Sequence, residues 1–195
     1  ITQNICRTIF TEKLEKESMS NFMREIIFED VNVTEDMLGR AALYGYNENK
    51  NYCAMVVDID NFRLYLKENQ LQDEDTISNI KNRIQEAIEY VMYKNNKKCL
   101  YTMQSDAFFF MVPMEKENNN IDYIAESIKN QINRNRDSIM VSIGIGGICN
   151  HLRGFNKVIL EARKALDMTK LYEKNNCIIK YGDLGIFRLF FEIND

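Results

Sequence analysis

One proline in 195 residues argues against an internal linker, and the length suits one domain of ordinary size with a flanking element. A single histidine, His151, and five cysteines scattered singly with no CxxC pair exclude a zinc site. Cys6, Cys53, Cys99, Cys149 and Cys177 read instead as small buried hydrophobes of a reducing compartment. Positive charge is scarce as well: 25 Lys and Arg stand against 29 Asp and Glu, for a net charge of −4. The chain therefore lacks the basic footprint of a nucleic-acid binder, and any DNA contact has to be made elsewhere. No apolar run approaches the roughly 18 residues of a membrane span. The start, ITQNICRTIFTEKLEKES, lacks the apolar core of a signal peptide, so a cytoplasmic location and no membrane partner are expected. A first residue other than Met suggests a piece of a longer protein.

What the chain does have is regular alternation. Residues 1–28 space Ile5, Ile9, Leu14, Phe22, Met23, Ile26 and Ile27 loosely among charges, which predicts one or two helices that pack on the body or on a second copy. A short helix starts near Thr34, with Glu35 and Asp36 in its first turn and Gly45 as its stop. The run CAMVVDID at 53–60 predicts a buried strand. Ile77, Ile80, Ile84, Ile88 and Val91 then form one apolar stripe of a helix over 76–94. Extended runs at 97–103 and 107–113 flank Gln104, Ser105 and Asp106, the pattern of a tight hairpin. A helix over 121–133, a strand over 138–146, a helix over 154–172 and a strand over 177–181 follow, and the tail GDLGIFRLFFEIND reads as an amphipathic helix. MEKENNN at 114–120 reads as a solvated loop. The order predicts an α/β sandwich of the ferredoxin-like kind, with a central, mainly antiparallel sheet flanked by helices. It divides as an N-terminal helical segment at 1–33, a domain at 34–183 and a C-terminal helix at 184–195.

Asp58 and Asp60 share one face of the first strand, because alternate residues point the same way. The hairpin brings Asp106 beside that strand end, so Asp58 and Asp106 are candidate ligands for Mg²⁺ in phosphoryl transfer. Asp60, followed by Asn61 and FRLYLKE, suits turn formation and helix capping instead. SIGIGG at 142–147 lacks the Lys-Ser/Thr of a phosphate loop and predicts close backbone packing. His151 and Arg153 could bind an anion at the helix beginning at 154, but a lone loop histidine is more often solvated. The aromatics Phe108, Phe109 and Phe110 fall on both faces of their strand, which points to burial.

Segment by segment, VVDIDNFRLY, QSDAF, MVSIGIGG and EARKALDMTKLYEKNNCIIKYGDLG resemble the GGDEF domain of diguanylate cyclases. That resemblance implies a metal ligand at Asp58 and a nucleotide- and metal-binding hairpin at Gln104, Ser105, Asp106, Ala107 and Phe108. Both glycines and the glutamate of the family hairpin are replaced here. Side chains at Gln104 and Ser105 obstruct close approach of a nucleotide, and Ala107 removes a carboxylate. Over residues 20–195 the chain more closely resembles the GGDEF-like domain of PucR/CdaR-type bacterial transcriptional regulators, through RAALYGYN, EARKALDMTK and YGDLGIFRLF. Some AraC-type response regulators are similar. The resemblance implies a non-catalytic regulatory and dimerisation domain without a cofactor, a homodimer that reaches DNA only through a separate C-terminal helix-turn-helix. Leu184, Ile186, Leu189 and Phe190 would then carry the interdomain helix. Two alternatives stand beside it: a divergent cyclase using Asp58, Asp106 and Mg²⁺, and a domain that binds GTP or a small-molecule effector in the cleft by the hairpin.

Overall fold

The computed structural model describes residues 2–29, 31–115, 120–134 and 139–187. Its centre is β1 (Asn51–Ile59), buried at every residue after the first and therefore apolar on both faces until its last turn. Antiparallel neighbours lie on each side: β3 (Ala107–Met114), with Val57 opposite Phe108, and β4 (Val141–Cys149), with Val57 opposite Ile143. β2 (Leu100–Gln104) pairs with β3, and the short β5 (Ile178–Lys180) adds to β4 in parallel, giving the order β2-β3-β1-β4-β5. The mainly antiparallel sheet expected from the sequence is present.

The period-2 alternation of the strands splits the apolar residues between two cores. Cys53, Met55, Val57 and Ile59, with Phe108, Phe110 and Ile143, face α4 (Glu74–Lys94) and α5 (Ile121–Asn133), whose stripes supply Ile80, Ile84, Ile88, Ile124, Ile128 and Ile132. On the opposite face Tyr52, Ala54, Val56, Phe109 and Met111 meet α1 (Thr2–Phe28), α2 (Glu35–Leu43) and α6 (Phe155–Leu171). All three aromatics Phe108, Phe109 and Phe110 are thus buried, on alternate sides.

Capping follows the sequence signals. The Thr34 hydroxyl accepts from Met37 N at the start of α2, and the Asp73 carboxylate accepts from Thr76 N at the start of α4. Gly45, at φ +100°, turns the chain just after α2, as expected.

α1 is a single helix with a division of labour. Met19, Phe22, Met23, Ile26 and Ile27 are buried against the sheet, whereas Phe10 and Leu14 stand 63% and 49% exposed. The side chains of Ile5, Cys6 and Ile9 lie outside the described ones, as do residues 116–119 of the anticipated loop.

The segment FRLYLKE after β1 forms a short helix, α3 (Phe62–Glu68), in line with the capping signal before it. Two elements differ from expectation. β4 is shifted toward the C-terminus, since its pairing with β1 runs on to Tyr52 opposite Cys149. The expected tail helix is, as far as it is described, a 3₁₀ stretch at Tyr181–Phe187, broken where Gly185 takes the left-handed φ of +54°. Leu184 there packs against Ala165 and Met168. The Ile186 side chain, Leu189 and Phe190 lie outside the described residues. No helix among the described residues is long and apolar enough to cross a membrane.

Candidate functional site

The candidate cleft sits where β1 ends against the β2–β3 hairpin. Gln104 pairs with Ala107, so Ser105 and Asp106 make a two-residue turn, and Ser105 adopts φ +58°, a conformation glycine takes without cost. The Lys81 ammonium, from α4, donates to the Ser105 carbonyl at 2.5 Å. The same lysine lies 5.7 Å from the centroid of the Phe62 ring. The hairpin is tied to β1 directly: Asp58 is opposite Ala107, and Ile59 N donates to the Asp106 carbonyl. Gln104 and Ser105 are exposed, Asp106 and Ala107 half-buried, and Phe108 is part of the core. The topology therefore brings Asp58 and Asp106 to one place, as the sequence suggested.

It also brings a third group. Lys170, in the last turn of α6, places its ammonium 3.0 Å from Asp58 Oδ2. Burial pushes the Asp58 carboxyl above its ordinary range; the Lys170 hydrogen bond and charge pull it back, while Asp106 and Asp60 push it further up. At Lys170 the balance is the reverse: burial lowers it, but the hydrogen bond and charge of Asp58, with Asp167 and Asp106, more than restore the ammonium. Burial dominates at the acid and the partner dominates at the base. One signal for Lys170 was present in the sequence: the inward stripe of α6, Val158, Ala162 and Leu166, continues at the next interval of four to residue 170.

Asp60 does not cap α3. The N-cap position is Asn61, in left-handed backbone with no side-chain cap. The Asp60 carboxylate accepts instead from Asn176 N at 2.7 Å, in the loop between α6 and β5, and from the Ser142 hydroxyl. A partner 116 residues away outcompetes the local one, since burial leaves the carboxylate needing donors that an exposed cap does not supply. Burial nonetheless pushes the Asp60 carboxyl up, against these hydrogen bonds and the Lys170 charge.

Magnesium is bound by one or two carboxylates together with phosphate oxygens. The residues present fit it poorly: Asp58 already holds an ammonium, the Ala107 side chain offers no oxygen, and among the described residues no three His, Cys, Asp or Glu side chains converge.

The other sequence candidates resolve structurally. A Cβ on Gly144 would fall 2.1 Å from the Ala162 carbonyl oxygen and one on Gly146 2.0 Å from that of Val158, so SIGIGG is a strand pressed against α6. Gly147 N donates to Glu161. Arg153 donates to the Val33 carbonyl, and His151 is exposed. The described cysteines are free, and burial pushes Cys53 and Cys99 up to about 12 and Cys149 up to about 11, away from thiolate chemistry.

The fold has recognisable relatives. The active GGEEF domain of a diguanylate cyclase from Vibrio cholerae superposes with a TM-score of 0.54 at 15% identity, over 74% of this chain and 88% of that one. The coiled coil and GGDEF domain of DgcB from Caulobacter crescentus, in complex with c-di-GMP, gives 0.50 at 18% identity over 92% and 97%. The GGDEF domain of YfiN from Pseudomonas aeruginosa gives 0.50 at 18% over 72% and 86%. At these identities the likeness is one of fold. No curated protein sequence matches. The family model described as "GGDEF-like domain" matches residues 30–168, which include α2, the hairpin, the Asp58 strand end and most of α6. The chain belongs to the GGDEF-like domain family.

Proposed function

We propose that this chain is a non-catalytic regulatory and dimerisation domain of a PucR/CdaR-like bacterial transcriptional regulator, relaying a signal between flanking domains. The observation that carries the reading is the seating of α1. Lys16, Ser20 and Arg24, spaced by four along one line of the helix, reach Glu89 at 2.7 Å, the Thr102 hydroxyl at 2.9 Å and the Met103 carbonyl at 3.4 Å. Thr102 and Met103 are the residues of β2 that lead into the Gln104 hairpin. A shift of the stretch of α1 that carries the exposed Phe10 and Leu14 thus has a polar line along which to move the hairpin strand. RAALYGYN and YGDLGIFRLF support the regulator context, and the acidic balance of the chain agrees with DNA being read by another domain.

Absence of catalysis is supported by the hairpin, where Ala107 supplies no carboxylate, and by the ammonium on Asp58. Incubation with GTP and Mg²⁺, followed by chromatography, is expected to give no cyclic dinucleotide. A product that disappears in Asp58→Ala would establish the divergent-cyclase alternative, for which the proximity of Asp58 and Asp106 speaks. Reading the coding sequence past Asp195 tests the context: a helix-turn-helix is expected, and a phosphodiesterase-like or kinase-like continuation would overturn it. In the intact regulator, Ser20→Ala combined with Arg24→Ala is expected to uncouple effector from DNA response, and unchanged regulation would count against the relay.

A further inference from the structure

We infer that the hollow between α1, the C-terminal end of α2 and the edge strand β2 is a binding site for a small organic cation, an amine or quaternary ammonium group carried on an apolar body. A cavity of about 590 Å³ lies there, and neither Asp58 nor any residue of the QSD turn lines it. The sequence of α1 explains why it is open. The inward stripe of this helix is apolar at Met19, Phe22, Met23 and Ile26, and the same line carried back toward the N-terminus holds Lys16, Glu15 and Glu12. Charged side chains keep their heads in water, so the helix passes over the sheet edge without filling it.

Two aromatic walls are held in place. The Tyr101 hydroxyl donates to Glu89 at 2.7 Å and its ring stands 5.4 Å from that of Phe110. Tyr44 shares a hydrogen bond with the Ser18 hydroxyl at 2.6 Å and its ring stands 5.5 Å from that of Phe22. Buried Met19 and exposed Leu43 supply apolar surface between them. Charge then selects the ligand. Glu89 is saturated by Lys16, Gln85 and Tyr101, and the Lys16–Glu89 pair cancels. What remains on the lining is Glu12 and Glu15 against Lys98, whose stem is laid on the Gly45 turn, where a Cβ would fall 3.0 Å from its Cδ and Cε. Excess carboxylate beside tyrosine rings attracts an ammonium twice over, by direct charge and through the negative faces of the rings. An organic anion of the same shape meets the two carboxylates instead and is repelled.

The site lies beside the Lys16–Glu89 contact of the relay reading but does not rest on that reading, because the experiment reads binding and not regulation. Benzyltrimethylammonium is the probe and phenylacetate its counterpart of opposite charge, each titrated into the 195-residue chain and followed by ligand-observed NMR. Benzyltrimethylammonium is expected to bind once per chain with a Kd below about 1 mM, and phenylacetate not to saturate below about 10 mM. Glu12→Gln combined with Glu15→Gln is expected to weaken the cation by about tenfold or more. Leu43→Arg, which sets a positive charge on the wall, is expected to abolish its binding. Leu171→Arg, on α6 and outside the cavity, is expected to bind as wild type. All four positions are exposed, so the variants are expected to fold. No saturable binding of benzyltrimethylammonium by the wild type would overturn the inference. So would phenylacetate binding as tightly as the cation, or cation binding that survives unchanged in Leu43→Arg and in the double glutamine variant.

Discussion

Lys81 and Ser105 meet at 2.5 Å, the lysine ammonium on the serine carbonyl, at a turn where the serine holds a left-handed φ of +58°. A long helix thus pins a strained two-residue loop from outside. Non-glycine residues in this region cost on the order of 1 kcal/mol or more, offset by the surroundings.

Ser105→Gly is expected to stabilise the domain by up to about 1 kcal/mol, because glycine takes the turn conformation freely. Urea denaturation measures it, and a loss of stability would show that the serine is not strained there.

Gly144 and Gly146 in β4 and Gly39 in α2 make opposite predictions. Gly144→Ala or Gly146→Ala drives a methyl into an α6 carbonyl and is expected to cost about 3 kcal/mol or more. Gly39→Ala meets nothing within 4 Å and lies inside α2, so it is expected to gain about 0.5–1 kcal/mol from helix propensity. Thermal melts of the three variants check the pair of signs.

Phe22 and Phe10 separate the two halves of α1. Phe22 is fully buried, so Phe22→Ala is expected to cost about 3–5 kcal/mol. Phe10 is 63% exposed, and Phe10→Ala is expected to stay within about 0.5 kcal/mol. Equal effects at both positions would mean that the N-terminal half is covered in solution.

Glu89 gives a pH signature. Burial pushes its carboxyl up, but hydrogen bonds from Gln85, Lys16 and Tyr101 together outweigh burial and hold it below its ordinary 4.5. The folded value is depressed, so its contribution is present above pH 4.5 and is lost as pH falls through the lower folded value. Denaturation midpoints measured from pH 6 downward are expected to fall less steeply for Glu89→Gln than for wild type. Parallel curves would remove Glu89 from the account.

Much of the architecture was legible in residue order. The isoleucine stripes of α4 and α5, the apolar run of β1 and the QSD turn each announce a local structure through short-range sterics and periodic burial. Asp58 and Asp106 could be placed together because a hairpin after a crossover returns to the first strand. α3 was announced only by the capping signal before it, because seven residues hold too few turns to reveal a stripe, and Tyr181–Phe187, the described part of the tail, is broken where Gly185 takes a left-handed backbone.

The acidic strand end divides the two kinds of information most clearly. Which residues carry charge at positions 58, 60, 106 and 170, and on which face of their own element each lies, is settled by sequence and by the geometry of strand and helix. Which charge meets which is settled only by the packed molecule. Asp60 gave up a cap next door for Asn176, and Asp58 drew Lys170 from α6, because burial makes a carboxylate take whatever donors the packed elements bring within reach. The approach of α6 to β4, fixed by the missing side chains at Gly144 and Gly146, decides that reach.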